Sequence, residues 1–255
     1  MNILAIGDVV GSIGCNFLRS HLPALKKMKA IDLVIVNGEN SANGNGLTPA
    51  SAQFLFDSGV DIITTGNHCF RRRESYDLYD SCETLLRPAN FPPSVPGHGF
   101  CVVDMGRIQV GVINLMGVVY LESMDSPFDC VDRILAQGMP KITVVDFHAE
   151  ATGEKRALGY YLDGRVSAVF GTHTHVQTAD ECILPKGTGY ITDLGMTGPI
   201  HSVLGVKPEI IIQKMRTKMP ARFDIAEGDC RIDGAIFTID EATGRTVEVE
   251  RLTIV

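Results

Sequence analysis

Five short apolar runs in this 255-residue chain each end in a side chain able to hold a metal ion or move a proton. The terminal groups are Asp8, Glu39 with Asn40, Asn67 with His68, His148, and His173 with His175. Taken singly, each has a plainer reading. A lone Asp after a strand is more often a turn or helix cap, and Glu39-Asn40 in a Gly/Asn-rich loop suits turn chemistry. His148 alone reads as a hydrogen-bonded core histidine. The coincidence of five such endings carries the weight, because in α/β architectures ligands bind beyond the carboxyl ends of the strands. Gly171-Thr172-His173-Thr174-His175 is the most specific piece. On an extended segment residues i and i+2 point the same way, so both imidazoles can address one site. In Gly66-Asn67-His68 the amide oxygen is a metal ligand and the adjacent imidazole a proton-transfer group.

These groups need elements to position them. Ile3–Ile6, Leu33–Val36, Ile62–Thr65, Ile142–Val145 and Ala168–Phe170 are too short for helices, and their continuous apolarity predicts buried, parallel strands. Between them, residues 11–29 carry Ile13, Phe17, Leu18, Leu22 and Leu25 at helical spacing, with lysines at the C-terminal end. Thr48 followed by Pro49 predicts an N-cap for a helix to Asp57. Further helices are expected over Pro127–Gln137 and Glu154–Leu162. Phe100–Val103 with Ile108–Ile113, and Ala235–Ile239 with Thr246–Val249, read as antiparallel hairpins, so a mixed sheet arrangement is expected. No repeat, low-complexity tract or linker interrupts the chain, which reads as one domain over 1–255.

Composition narrows the function classes. Hydrophobic residues make up 45% and charged residues 21%, ordinary for a soluble globular protein, and a core of this size needs no staples. The net charge of −7 argues against general nucleic-acid or membrane-surface binding. The sequence leads one to expect no secretory signal and no membrane-length apolar stretch. The seven cysteines are scattered singly, as reduced thiols in a cytosol would be, and a cytoplasmic location is expected.

Gly7-Asp8, Gly66-Asn67-His68, His148 and Gly171-Thr172-His173-Thr174-His175, in that order, resemble the binuclear metallophosphoesterase (calcineurin-like) superfamily. Gly7-Asp8-Val9-Val10-Gly11, Asn37-Gly38-Glu39-Asn40, Asp146-Phe147-His148-Ala149-Glu150 and Thr192-Asp193-Leu194-Gly195-Met196-Thr197-Gly198-Pro199 resemble its YmdB-like branch, whose members are similar to 2′,3′-cyclic nucleotide phosphodiesterases. The superfamily's Asp-x-His is here Asp8-Val9-Val10, and its bridging aspartate is Glu39; both departures look like those of the branch. Phe70 stands where the branch would lead one to expect tryptophan. The resemblance implies an α/β fold, a four-layer α/β/β/α sandwich of two mixed sheets flanked by helices, with the site at one end of the sheets. It also implies two metal ions: one held by Asp8, Glu39, Asn40 and His175, the other by the bridging Glu39 with Asn67, His148 and His173. Such shells suit Mn(II) or Fe better than Mg, with Zn also admissible.

The same resemblance implies hydrolysis of a small phosphodiester or cyclic nucleotide by a metal-bridging hydroxide, with His68 protonating the leaving group. The plain alternative for His68 is a hydrogen bond to the ligands. His21, His98 and His201 are unassigned, although His201 could line the pocket. Arg71–Arg73 reads more readily as a solvated face than as a phosphate clamp, and Gly44-Asn45-Gly46 lacks the Lys-Ser/Thr of a P-loop. Cys69 reads as structural. Rival functions are a phosphomonoesterase or protein phosphatase on the same site, or a regulatory phosphoester-binding protein with little turnover. No stable nucleic-acid partner and no membrane are expected; the sequence leaves room for a homo-oligomer.

Overall fold

A computed structural model describes all 255 residues. The strands in chain order are β1 (Asn2–Ile6), β2 (Asp8–Val9), β3 (Leu33–Asn37), β4 (Ile62–Thr64), β5 (Phe100–Asp104), β6 (Gln109–Met116), β7 (Ile142–His148), β8 (Ala168–Thr172), β9 (Cys182–Ile183), β10 (Gly189–Ile191), β11 (Met196–Pro199), β12 (Cys230–Ile239) and β13 (Thr246–Ile254). The helices are α1 (Gly11–Met28), α2 (Pro49–Asp57), α3 (Tyr76–Ser81), α4 (Pro127–Leu135), α5 (Thr152–Leu162) and α6 (Pro208–Thr217).

One sheet runs β2-β11-β12-β1-β3-β4, with β13 also paired to β12. Its β1–β3–β4 block is parallel, whereas β12 runs antiparallel to β1, β11 and β13. The other sheet runs β5-β6-β7-β8-β10-β9, a parallel block between antiparallel edges. Strand alternation divides the apolar residues into layers. Ile3, Ala5 and Ile35 of the first sheet meet Val112, Val144 and Phe170 of the second in one buried core. Leu4, Ile6 and Val36 face outward onto Leu18, Leu22 and Leu55 of α1 and α2. Ile113, Val145 and Val169 face the opposite way onto Val131, Leu158 and Leu162 of α4 and α5. The result is the four-layer sandwich of two mixed sheets that the resemblance implied.

Local rules explain most boundaries. Thr48 Oγ1 accepts the Ser51 N–H and Ser51 Oγ accepts the Thr48 N–H, so the two residues cap α2 reciprocally behind Pro49. β7 outruns its expected end at Val145, because the charge at Asp146 is not turned to solvent. Its carboxylate accepts hydrogen bonds from the hydroxyls of Thr64 and Thr172, so the strand continues buried to His148. α6 was not anticipated as a helix: it carries Ile210, Ile211 and Met215, but none of its residues is buried. No helix is long and apolar enough to cross a membrane, and none of the seven cysteines is paired.

Candidate metal centre

All the expected site residues stand at the carboxyl ends of strands, on one end of the sandwich. The first sheet supplies Asp8 from β2, Glu39 and Asn40 from the turn after β3, and Asn67 and His68 from the turn after β4. The second supplies His148, last residue of β7, and His173 and His175 just beyond β8. In register, His148 lies opposite Thr172, which keeps the two strand ends flush.

His148 Nε2 is the focus. It lies 3.1 Å from Glu39 Oε1, 3.0 Å from Asn67 Oδ1 and 3.1 Å from His173 Nδ1. Its other nitrogen, Nδ1, donates to Thr172 Oγ1 at 2.9 Å, and that hydroxyl donates to Asp146 Oδ1 at 2.8 Å. This chain anchors the ring through Nδ1 and leaves Nε2 as the nitrogen facing the centre. Gly66 must be glycine here, since a Cβ on it would overlap the His148 ring. Glu39, His148 and His173 bring one oxygen and two ring nitrogens within 4.8 Å of one another.

A second group adjoins the first. Asp8 Oδ1 lies 3.6 Å from His175 Nε2, and Asp8 Oδ2 accepts the His173 N–H at 3.0 Å. His175 Nδ1 faces the Leu204 carbonyl at 3.2 Å, so its Nε2 is again the free end. His173 and His175 do not converge by strand alternation as the His-x-His spacing suggested. Both have positive φ, 100° and 62°, so the chain coils through the left-handed region, and the Asp8 carboxylate holds both residues. Asn40 gives its amide oxygen to His68 Nδ1 at 2.8 Å and turns its Nδ2 toward Asp8 and His175. In this arrangement it orients His68; coordination through oxygen requires the amide to be turned over.

Asp8 and Glu39 are fully buried, and their only charged partners are imidazoles. Burial pushes both carboxyls up, but the surrounding histidines, led by His175 at Asp8 and His148 at Glu39, together outweigh it, so both lie below the carboxylate range. Burial lowers His148, but Glu39, Asp8 and Asp146 together outweigh it and raise it to about 9. Burial, with the neighbouring His148 charge, lowers His173 to about 4. Two buried carboxylates matched by imidazoles and amides, with no Lys or Arg among them, form a donor set that fits divalent cations.

His68 sits at the rim. Its N–H donates to Glu39 Oε2 at 2.9 Å, and its half-buried ring borders a cleft of about 630 Å³. Burial lowers its pKa against the pull of Glu39. His175, Arg71 and Arg72 line the same cleft, whereas His201 does not. Gly44 and Asn45 also border it. Phe70 packs in an aromatic cluster with Tyr76, Tyr79 and Phe91, at ring separations of 5.4–5.6 Å. Cys69 is buried, and that burial pushes its thiol up, away from nucleophilic use. His21 bonds the Phe17 carbonyl within α1, far in sequence from any strand end.

Two supporting groups escaped the sequence reading. Lys155 is buried with its Nζ 2.6 Å from Asp193 Oδ2 and 2.8 Å from the Thr172 carbonyl; Asp193 also accepts the Thr174 N–H at 3.1 Å. The pair thus ties down the turn bearing His173 and His175. Its signal was present: Lys155, Leu158, Gly159 and Leu162 share the helical spacing of the buried face of α5, and a lysine there needs a partner. Glu150 is the other, with Oε2 3.2 Å from His173 Nε2.

Comparison with known proteins follows the same line. The family model described as YmdB-like protein matches residues 4–252. A Bacillus subtilis protein named 2′,3′-cyclic-nucleotide 2′-phosphodiesterase is 48% identical over all of this chain and 97% of its own. Crystal structures of a Thermus thermophilus protein and of a phosphatase from Mycoplasma pneumoniae each superpose with a TM-score of 0.95. They are 40% and 35% identical, and each alignment covers all of this chain and 99% and 93% of the other. The chain belongs to the YmdB-like protein family.

Proposed function

We propose that this protein is a metal-dependent phosphodiesterase that hydrolyses 2′,3′-cyclic nucleotides to 3′-phosphates. The observation that carries the reading is the convergence of Asp8, Glu39, Asn67, His148, His173 and His175 beside a nucleotide-sized cleft, with His68 at its edge. The name of the Bacillus relative supports the substrate class. Asp8 and His175 would hold one divalent ion, with Asn40 once its amide is turned over. Asn67, His148 and His173 would hold another, and Glu39 would be shared between the two. Bound ions of this kind ionise water near neutral pH and neutralise charge on the phosphoryl oxygens.

The remaining work falls to side chains. Water adds at phosphorus, the P–O2′ bond breaks, and O2′ departs with a proton. His68 is held by Asn40 through Nδ1, so its Nε2 is the nitrogen free to carry that proton to the cleft. Thr172, Glu150 and the Leu204 carbonyl fix the rings of His148, His173 and His175 from behind.

The test is a side-by-side assay with Mn(II) of 2′,3′-cyclic AMP, 3′,5′-cyclic AMP, a nitrophenyl monoester and a phosphoserine peptide. The expected order places 2′,3′-cyclic AMP first in kcat/KM. A higher value for the monoester or peptide makes the protein a phosphatase, and tight binding without turnover of any makes it a binder.

A further inference from the structure

We infer that the cleft takes not only a cyclic mononucleotide but the 3′ end of a single-stranded RNA fragment terminating in a 2′,3′-cyclic phosphate. The inference rests on the proposed phosphodiesterase reading and concerns what lies beyond the reacting phosphate.

The chain is acidic overall, but its charge is unevenly distributed. Residues 201–225 carry Lys207, Lys214, Arg216, Lys218 and Arg222 against Glu209 and Asp224, five basic to two acidic, in a protein of net −7. Both feet of this excursion stand on the cleft. Leu204 and Val206 line it on the way out to α6, and Ala221 to Ile225 line it on the return. The Lys207 N–H donates to the Asp224 carbonyl at 3.0 Å, and Val206 bridges to Ile225, which closes the loop at its base. None of the five cations forms an ion pair with a carboxylate, and neither does Arg71, which also borders the cleft. Arg72, beside it, donates to the carbonyls of Asn45 and Ala42.

A cyclic mononucleotide brings a single negative charge, and that charge belongs at the metal centre. Arg71 and Arg222, which border the same cleft, then have no anion to meet. An internucleotide phosphate would supply one, and Lys214 of α6 stands beside the cleft residue Phe223. Phe223 adds the second requirement of single-strand recognition. Its ring is 47% exposed in the cleft wall, with Lys214 Nζ 4.5 Å from its centroid, and offers an aromatic surface to a base. Charge complementarity and continuity with the catalytic cleft therefore favour a polynucleotide 5′ of the cyclic phosphate. Chemistry supplies such ends. When a ribose 2′-OH attacks the adjoining phosphodiester, the P–O5′ bond breaks, a 5′-OH fragment leaves, and the upstream fragment retains the 2′,3′-cyclic phosphate. RNA cleavage by this transesterification is the class of reaction that must precede the present one.

The experiment uses the metal-loaded protein and three substrates: 2′,3′-cyclic AMP, the same compound with a 5′-phosphate, and a 5′-hydroxyl triadenylate ending in the cyclic phosphate. The triadenylate should exceed 2′,3′-cyclic AMP at least tenfold in kcat/KM at 50 mM salt. Its advantage should fall as salt rises, with a log–log slope steeper by about 0.7 for each extra phosphate contacted. In R222A and in R71A the ratio of the two values should drop at least fivefold. Equal values with equal salt slopes overturn the inference, as does a 5′-phosphorylated mononucleotide that matches the triadenylate. Anisotropy with a labelled 3′-phosphorylated triadenylate separates the two readings. Salt-dependent binding without hydrolysis of any substrate removes the phosphodiesterase and leaves the RNA surface standing. Hydrolysis of 2′,3′-cyclic AMP with no triadenylate advantage does the reverse.

Discussion

Replacing Lys155 by Met tests how the turn carrying His173 and His175 is held. Methionine keeps most of the apolar stem in α5 but removes the ammonium 2.6 Å from Asp193 Oδ2. Asp193 would then stay buried, with only the N–H groups of Thr174 and Gly195 on its oxygens. Breaking one side of a buried pair costs about 3–5 kcal/mol, because the other charge is left uncompensated. In a chain of this size each kcal/mol lowers Tm by about 2–4 °C, so a fall of roughly 6–20 °C is expected. The exposed pair Arg133–Asp125, 3.4 Å apart, provides the control, since R133M should change stability by no more than about 1 kcal/mol. Thermal unfolding of the metal-free protein by circular dichroism measures both. K155M combined with D193N removes the stranded charge while an amide oxygen can still accept the Thr174 N–H, so it should recover part of the loss. The reasoning fails if K155M behaves like R133M, or if the double variant is as unstable as the two single losses added together.

H68A should lower kcat on 2′,3′-cyclic AMP by roughly 10²–10⁴-fold, with metal content nearly intact, and should affect a nitrophenyl diester much less because its leaving group needs little protonation. Equal losses on both substrates would make His68 a structural residue. Elemental analysis of protein prepared without chelator should approach two ions per chain, and E39Q, which removes the proposed bridging carboxylate, should lower occupancy of both. A reconstituted sample that saturates at one ion would rule out a shared carboxylate.

Where periodicity and capping speak in a local code, the sequence was sufficient. The Thr48-Pro49 start of α2 and the turns and pairing of the two antiparallel hairpins stand where their residues placed them, because caps and turns are settled within a few positions, although β12 and β13 run five residues beyond their expected outer ends. The ends of β7 and β8 were read short, since a strand's length depends on whether a distant hydroxyl can satisfy a charged side chain such as Asp146. The strand-end donors were legible as residue types, but the route by which His173 and His175 meet was not. Positive φ at both positions is enforced by Asp8, 165 residues away from His173 in sequence. Lys155 shows the opposite case, a signal present in the helical pattern that gains meaning only once Asp193 is seen opposite it. α6 went unread although Pro208 stands in its first turn, because none of its residues joins a buried stripe.

The donors come from two sheets that face each other across a shared apolar layer, where Phe170 of one lies 6.0 Å from Phe237 of the other, with Asn37 and Thr64 reaching across to Asp146 at its end. That layer therefore acts as a spacer whose thickness sets the gap between Asp8, Glu39 and Asn67 on one side and His148 and His173 on the other. Ligands with oxygen and nitrogen donors tolerate only a few tenths of an ångström of misplacement. Side chains far from any substrate thus inherit the tolerance of the centre, and a thinner residue at Phe170 detunes it while the fold survives. In a fold of this design, drift in the hydrophobic interior is constrained by a length as well as by stability.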